Sequence, residues 1–148
     1  MDLKNNFWKD YPELEKELVQ VQQLMKSHVT IKNSDVKSAI FDIFNAGGKM
    51  LRPAYLLLFS GFTDLSESER LALAASVEMM HTATLVHDDV IDHADTRRGV
   101  ATLSAKYGPE IAVYAGDYLF IAVFRLMSEH SLELSNLTKN IGSIERLL

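Results

Sequence analysis

Hydrophobic residues recur at three- and four-residue steps along most of the chain, which is the spacing of amphipathic α-helices. In residues 7–28 the recurring positions are Phe7, Tyr11, Leu14, Leu18, Val21, Leu24 and Met25. A second stripe predicts a helix from about Ser34 to Ala46, capped by Asn33 or Ser34. Gly47-Gly48 can end that helix. Because alternating runs of β-branched residues are scarce, the pattern predicts an all-α fold.

Four further helices are predicted from the same periodicity. Residues 53–59 begin with a proline suited to a first turn, and their last four residues are apolar on every side, which predicts a buried helix. Residues 66–69, Ser-Glu-Ser-Glu, match a capping box and begin a long central helix. After Gly99 we expect an irregular link and then an apolar helix at residues 110–127. Residues 135–148 are predicted to form the last helix.

The bulk composition narrows the class of protein. The 148 residues predict a single all-α domain, 1–148, and the 47% of apolar residues can form a core. A net charge of -5 argues against nucleic acid as a partner, and the absence of cysteine excludes disulfides and thiolate metal sites. The N-terminus has no secretory h-region, and no uninterrupted apolar run reaches the roughly 18 residues of a membrane span. We therefore predict a cytoplasmic protein without a membrane span.

The central helix ends in a group of aspartates. At about 100° per residue, His81, Asp88 and Asp92 lie within about 40° of one another around the helix. Asp88 and Asp92 are an i,i+4 pair of like charges near a helix C-terminus, which is unfavourable by itself. Such a pair suits Mg²⁺ carrying a phosphate group, although a solvated acidic helix end is the alternative interpretation. Asp89, about 100° away, is predicted to orient its neighbours.

Basic residues flank this helix in the sequence. Lys49 and Arg52 stand near the start of the third helix, where they could bind a diphosphate or be ordinary surface cations. Arg97 and Arg98 follow the aspartates and could bind phosphate or pair with Asp92 or Asp95.

Four other polar residues could contribute to function or to structure. His81 is either a core histidine or a phosphate ligand, and its alignment with the aspartates favours the second. His87 and His93 are predicted to be structural. Asp117 is either a buried, hydrogen-bonded carboxylate or part of a cavity wall.

Three motifs in order resemble a known family: GGKMLRP at residues 47–53, HTATLVHDDVID at 81–92 and RRG at 97–99. Together they resemble the front half of a trans-polyprenyl diphosphate synthase (isoprenyl diphosphate synthase) of the long-chain type, from about Asn33 to the end of the chain. The resemblance implies the N-terminal part of the isoprenoid synthase helical bundle. It also implies a Mg²⁺-dependent transferase that condenses isopentenyl diphosphate with an allylic prenyl diphosphate.

The resemblance also implies roles for individual residues. Asp88 and Asp92 would bind Mg²⁺, and Arg97 would contact the allylic diphosphate, so these three residues are the predicted catalytic group. Isopentenyl diphosphate would be bound by Lys49, Arg52, His81 and Arg98. The product tunnel would pass Ala83, Thr84, Met80 and Ser76. Because Thr84 and Ala83 are small, we predict a long product, hexaprenyl to octaprenyl.

The chain departs from the family pattern in two places. Residues 100–104 read Val-Ala-Thr-Leu-Ser where the family often has Pro-Thr-x-His. The family's second aspartate-rich motif and its lysine-bearing segment lie on later helices than this chain contains. We therefore expect a truncated bundle lacking the C-terminal helices, with little or no synthase activity alone, and a homodimer or heterodimer.

Three alternatives stay open. The chain could be a non-catalytic accessory or regulatory subunit that binds prenyl diphosphate or a partner synthase chain. His87-Asp88 would suit a metal phosphohydrolase if other helices supplied histidines, for which His28 is a candidate. Glu78 and His81 form one Glu-x-x-His element, whereas di-iron bundles need two.

Overall fold

The computed structural model of the chain describes residues 6–46, 48–97 and 99–130. A short 3-10 turn, Asn6–Trp8, precedes the other elements. These are α1 (Pro12–Ser27), α2 (Ser34–Ala46), α3 (Leu51–Ser60), α4 (Glu67–Ile91), β1 (Thr96–Arg97), β2 (Val100–Ala101), α5 (Leu103–Tyr107) and α6 (Pro109–His130). The all-α prediction is confirmed, with one two-stranded ladder added. The tail predicted as a helix, residues 135–148, lies outside the described residues.

The central position belongs to α4, which packs against α6, α3 and α1, while α2 and α5 cover α6. Alanines are buried on both α4 and α6, so the two backbones can approach closely. At one point a side chain requires a glycine: a Cβ on Gly116 would lie 2.3 Å from Nε2 of His87. His87 therefore packs across the α6 backbone, which agrees with its predicted structural role.

Local sequence signals set most helix starts as predicted. Pro12 is the first residue of α1, and the bounds predicted for α2 are confirmed. Asn33 Oδ1 caps α2 by accepting from the backbone N–H groups of Asp35 and Val36, both at 3.0 Å. The predicted terminator Gly47 lies outside the described residues.

Three expectations about the helices were wrong. The first helix does not run unbroken from residue 7, because the chain makes a 3-10 turn before Pro12. The third helix is not buried on all sides: Leu57 is 2% exposed, but Leu58 is 54% and Phe59 70% exposed. The short helix α5 was not predicted. Helix α3 therefore has one core face and one open apolar face.

Helix α6 has the length and hydropathy of a membrane-spanning helix. The sequence expectation did not anticipate this, because Asp117 and Arg125 interrupt the apolar run. In the structure, one side of α6 is buried against the other helices, with 39% of the apolar window buried. A core helix has the same properties, and the cytoplasmic location stays a prediction.

Candidate active site

The C-terminus of α4 gathers three aspartates in its last turns. Asp92 caps the helix, and His93 adopts a left-handed conformation with φ of 52°. The N–H of His93 then bonds to the Val90 carbonyl at 3.2 Å, and the N–H of Ala94 to the Asp89 carbonyl at 2.9 Å. This is the hydrogen-bond pattern of a Schellman motif, formed here without glycine. It turns the chain sharply at the negative end of the helix dipole.

Asp89 is the aspartate that faces inward. Its carboxylate is buried and accepts from Nη2 of Arg97 at 2.7 Å and from Nε at 2.8 Å. The hydrogen bond to Asp89 raises the pKa of Arg97 above its usual value, and the charges of Asp88 and Asp92 contribute further. Arg97 therefore pairs with Asp89, whereas the sequence suggested Asp92 or Asp95. Asp88 and Asp92 remain exposed at the helix end.

A β-hairpin holds Arg97 in place. Arg97 pairs with Val100 across the antiparallel ladder, and Gly99 in the turn has φ of 79°, a conformation that glycine adopts readily. Thr102 ties the hairpin to the end of α4 by donating to the Ala94 carbonyl at 2.7 Å. The irregular link expected after Gly99 was therefore wrong. Arg98 lies outside the described residues, so its predicted role stays a prediction.

The Lys49 segment lies at the start of α3, as predicted. Its backbone is anchored by the N-terminal turn of the chain, because Trp8 Nε1 donates to the Lys49 carbonyl at 2.7 Å. The Lys49 ammonium lies 5.0 Å from the ring centroid of Phe7, a cation–π distance. Arg52 is exposed in the first turn of α3. Sequence reasoning placed Phe7 on a helix face and missed this contribution of the N-terminus.

One open cleft of about 910 Å³ brings the basic and acidic motifs together. Among its lining residues are Lys49, Arg52, His81, Asp89 and Arg97. Asp88 and Asp92 do not belong to that lining, and their carboxylates stand at the end of the same helix. Residues separated by up to 48 positions in the sequence, from Lys49 to Arg97, thus share one surface.

The lining of the cleft also contains polar residues that sequence reasoning missed. Asp42 of α2 accepts a hydrogen bond from the Tyr107 hydroxyl at 2.6 Å and another from the Lys106 ammonium. The bond from Lys106, and then that from Tyr107, holds the pKa of Asp42 below its ordinary value. Asp42 stands alone in the sequence, so no motif could have revealed a contact 64 residues away.

The four residues predicted to line a product tunnel share one face of α4 but differ in exposure. Ala83 is fully buried and Ser76 is 3% exposed, whereas Met80 is 42% exposed and Thr84 is also exposed. Met80 and Thr84 are therefore open to an apolar ligand, while Ala83 and Ser76 belong to the helix packing. The tunnel stays a prediction, and these exposures favour Met80 and Thr84 as its walls.

Asp117 fits neither of its two predicted environments. Its side chain is 57% exposed, and one carboxylate oxygen lies 3.3 Å from Nε2 of His87. His28, which the phosphohydrolase alternative would need beside His87, instead lies 3.1 Å from Glu129. Glu129 is twelve residues beyond Asp117, about 18 Å along α6. That alternative is not supported.

A sequence profile of the polyprenyl synthetase family matches residues 33–145. The chain belongs to the polyprenyl synthetase family. Among curated relatives of the chain is "Heptaprenyl diphosphate synthase component 2" of Geobacillus stearothermophilus, which is 37% identical over 119 residues. That match covers 80% of this chain and 37% of the relative.

Solved structures agree with this assignment. Geranylgeranyl pyrophosphate synthase from Lactobacillus brevis matches with a TM-score of 0.80 at 36% identity, covering 94% of this chain and 44% of that protein. Polyprenyl synthase from Caulobacter crescentus CB15, crystallised with calcium and isoprenyl diphosphate, matches with a TM-score of 0.74 at 30% identity, covering 93% and 42%. The chain thus spans about two fifths of the length of these relatives.

The aspartates at the end of α4 have the donor chemistry that Mg²⁺ requires. Mg²⁺ takes oxygen ligands and is usually bound by one or two carboxylates plus phosphate and water oxygens. Asp88 and Asp92 offer two exposed carboxylates one helical turn apart, while Asp89 is occupied by Arg97. The residues present therefore fit a magnesium ion that a phosphate also binds.

Proposed function

We propose that this chain provides the diphosphate-binding wall of a polyprenyl diphosphate synthase, a prenyltransferase that joins isopentenyl diphosphate to an allylic prenyl diphosphate. The observation that carries the proposal is the shared cleft, whose lining contains Lys49, Arg52 and His81 together with the Asp89–Arg97 pair. Asp88 and Asp92, the carboxylates for a metal-bound diphosphate, stand outside this lining at the end of the same helix.

The end of α4 would receive the allylic substrate. Asp88 and Asp92 would hold Mg²⁺, which neutralises a leaving diphosphate and so favours cleavage of the allylic C–O bond. Arg97 is already fixed beside these carboxylates by Asp89 and can donate to the same diphosphate without a large rearrangement. A preorganised cation of this kind loses little conformational freedom when the substrate binds.

The start of α3 would receive isopentenyl diphosphate. Arg52 can bind two phosphate oxygens at once, and Lys49 adds a point charge. The backbone of Lys49 is already anchored by Trp8. His81, on the cleft face of α4, can hydrogen-bond to the same group. Fixed cations would hold the double bond of this substrate near the allylic carbon, which is the orientation that condensation needs.

The small side chain at the exposed position Thr84 supports a long product, hexaprenyl to octaprenyl. Met80, one turn deeper and also exposed, is flexible enough to line an apolar channel.

A second candidate function is a non-catalytic subunit of a synthase with two kinds of chain. Large apolar side chains are exposed on α3 and α6: Tyr55, Leu58, Phe59, Tyr114, Ile121 and Phe124. Exposed apolar surface of this kind is typical of interfaces. The relative from Geobacillus stearothermophilus is named a "component 2", which supports a partner chain. In either case we expect a dimer, and we expect the 148-residue chain alone to bind substrates with little or no turnover.

Calorimetry with each substrate separately tests the main proposal. Lys49→Gln combined with Arg52→Gln should weaken isopentenyl diphosphate binding roughly tenfold or more, since charge-assisted contacts contribute about 1.5–3 kcal/mol each. Binding of farnesyl diphosphate with Mg²⁺ should change little. Lys37→Gln, an exposed lysine on α2, is the matched control.

Failure of the wild-type chain to bind either diphosphate would contradict the proposal. Assays of elongation with both substrates and Mg²⁺ then separate the two candidate functions. Turnover that appears only when a second, different chain is added would favour the subunit. Turnover by this chain without any partner would contradict the expectation of inactivity.

A further inference from the structure

A second grouping of possible metal ligands lies away from the cleft. His28 ends α1, and Glu129 and His130 end α6, and one ligand atom from each lies within 4.8 Å of the other two. His28 is largely buried, with 13% of its side chain exposed, while half of the Glu129 side chain is exposed. The two helix ends therefore present nitrogen and oxygen ligands to one point at the protein surface.

Both ring nitrogens of His28 lie beside groups that can only accept a hydrogen bond. Nδ1 lies 3.0 Å from the Leu24 carbonyl, and Nε2 lies 3.1 Å from the Glu129 carboxylate. A neutral imidazole has one N–H, so it can donate to only one of these two groups and presents a lone pair to the other. Two acceptors at this distance repel unless a proton or a metal ion lies between them. A histidine whose other N–H bonds to a backbone carbonyl has the orientation typical of metal ligands.

The His28 segment is held against α6 before any ligand binds. Tyr118 Oη accepts from the backbone N–H of Thr30 at 2.7 Å, and Arg125 donates to Oγ1 of Thr30 at 3.1 Å. Arg125 also donates to the His28 carbonyl. These bonds fix the backbone of His28 relative to Glu129, so little order has to be created when a metal binds.

We propose that His28, Glu129 and His130 form a zinc-binding site that joins the C-terminal ends of α1 and α6. Two imidazoles and one carboxylate are a ligand set that Zn²⁺ accepts, with water as the fourth ligand, whereas Mg²⁺ prefers oxygen alone. Ligand atoms around tetrahedral zinc lie about 3.4 Å apart. The His28–Glu129 pair, 3.1 Å apart, is already close to this spacing, and the His130 ligand atom lies within 4.8 Å of both and would have to move closer.

Zinc titration in the presence of excess Mg²⁺ tests this site separately from the aspartates. The metal-stripped 148-residue chain should bind one zinc per chain and show a higher Tm with zinc, because a ligand of the folded state stabilises it. Glu129→Gln and His130→Ala should each lower zinc affinity roughly tenfold or more, since even outer-shell changes cost about 10- to 100-fold. Both variants should keep the far-UV circular dichroism of the wild type.

His93→Asn is the matched control, because it removes an exposed histidine at a left-handed position that asparagine tolerates. It should bind zinc as the wild type does. Wild-type affinity in both Glu129→Gln and His130→Ala would overturn the proposal. So would loss of zinc binding in His93→Asn, which would place the zinc at the aspartates. The absence of zinc binding in the wild type would also overturn it.

Discussion

Acidic residues lie at both ends of α4, but they have opposite effects on the stability of the helix. At the N-terminus, Ser66 accepts from the Glu69 N–H at 3.3 Å, and Glu69 accepts from the Ser66 N–H at 2.8 Å. Glu67 adds a second negative charge beside the positive end of the helix dipole. At the C-terminus, three aspartates surround the negative end of the dipole, and Arg97 compensates for them only in part.

We propose that this difference separates a structural end of the helix from a functional one. Acidic residues in the first turn satisfy backbone donors, so the N-terminus lowers the free energy of the fold. Exposed carboxylates in the last turn raise the free energy of the fold. Natural proteins depart from such local stability rules mainly at functional sites. The comparison therefore predicts that mutations at the N-terminal end will lower stability and leave ligand binding unchanged. Mutations at the C-terminal end should weaken ligand binding without lowering stability.

The largest expected effect is on binding at the C-terminal end. Asp88→Asn combined with Asp92→Asn should weaken Mg²⁺-dependent binding of farnesyl diphosphate by more than roughly tenfold, because the carboxylates would hold the metal. Stability should be unchanged or should rise by up to about 1 kcal/mol, since charges that repel each other and oppose the dipole are removed. Calorimetry and urea unfolding measure the two effects on the same samples.

The matched control removes a charge at the other end of the helix. Glu67→Gln should lower stability slightly, because it removes a favourable interaction with the dipole, and should leave farnesyl diphosphate binding unchanged. If the double asparagine variant binds farnesyl diphosphate as tightly as the wild type, the functional assignment of the C-terminal end is wrong.

Sequence patterns predicted the structural end of α4 better than the functional one. The capping box needs residues only three apart, so Ser66 and Glu69 could be recognised directly. The pairing of Arg97 with Asp89 depends on where the hairpin folds back, and the spacing alone left Asp92 and Asp95 as partners. Local motifs thus predicted which residues gather at the site, and tertiary packing decided how they pair.

Helix periodicity alone could not decide which residues of α4 are open to a ligand. Ala83 and Thr84 are neighbours in the sequence, yet Ala83 is fully buried and Thr84 is exposed. The direction in which α6 and α3 pack against α4 sets this difference, and that direction is a property of the whole bundle. A bulky residue at Ala83 would therefore first disturb the helix packing.

Ser66→Ala should have a smaller and purely structural effect. Loss of the N-cap oxygen leaves the Glu69 N–H without its partner and should cost about 1 kcal/mol in the free energy of unfolding. Binding of farnesyl diphosphate, measured at the opposite end of the same helix, should not change. Ser68→Ala serves as the control for loss of a neighbouring hydroxyl, because Ser68 Oγ lies 3.2 Å from Ser66 Oγ while Ser66, not Ser68, accepts from the Glu69 N–H. A marked loss of binding in Ser66→Ala would show that the two ends are coupled.

The smallest expected effect concerns Asp42, a carboxylate in the cleft. It resembles the acidic residues at the N-terminus of α4, because hydrogen-bond partners satisfy it. Lys106 and Tyr107 lower its pKa from the ordinary value of 3.8. A carboxyl whose pKa is lower in the folded state stabilises the fold above its unfolded pKa and loses that contribution as the pH falls through the folded value.

Asp42→Asn should therefore lower the Tm slightly and by a constant amount from about pH 7 to about pH 5. The difference from the wild type should shrink below about pH 4, as protonation removes the charge in both states. Glu110→Gln, at an exposed acid on α6, is the control for general charge effects. A difference in Tm that stays constant down to the lowest pH would show that the ion pair with Lys106 contributes nothing, and that Asp42 joins α2 to α5 through neutral hydrogen bonds alone.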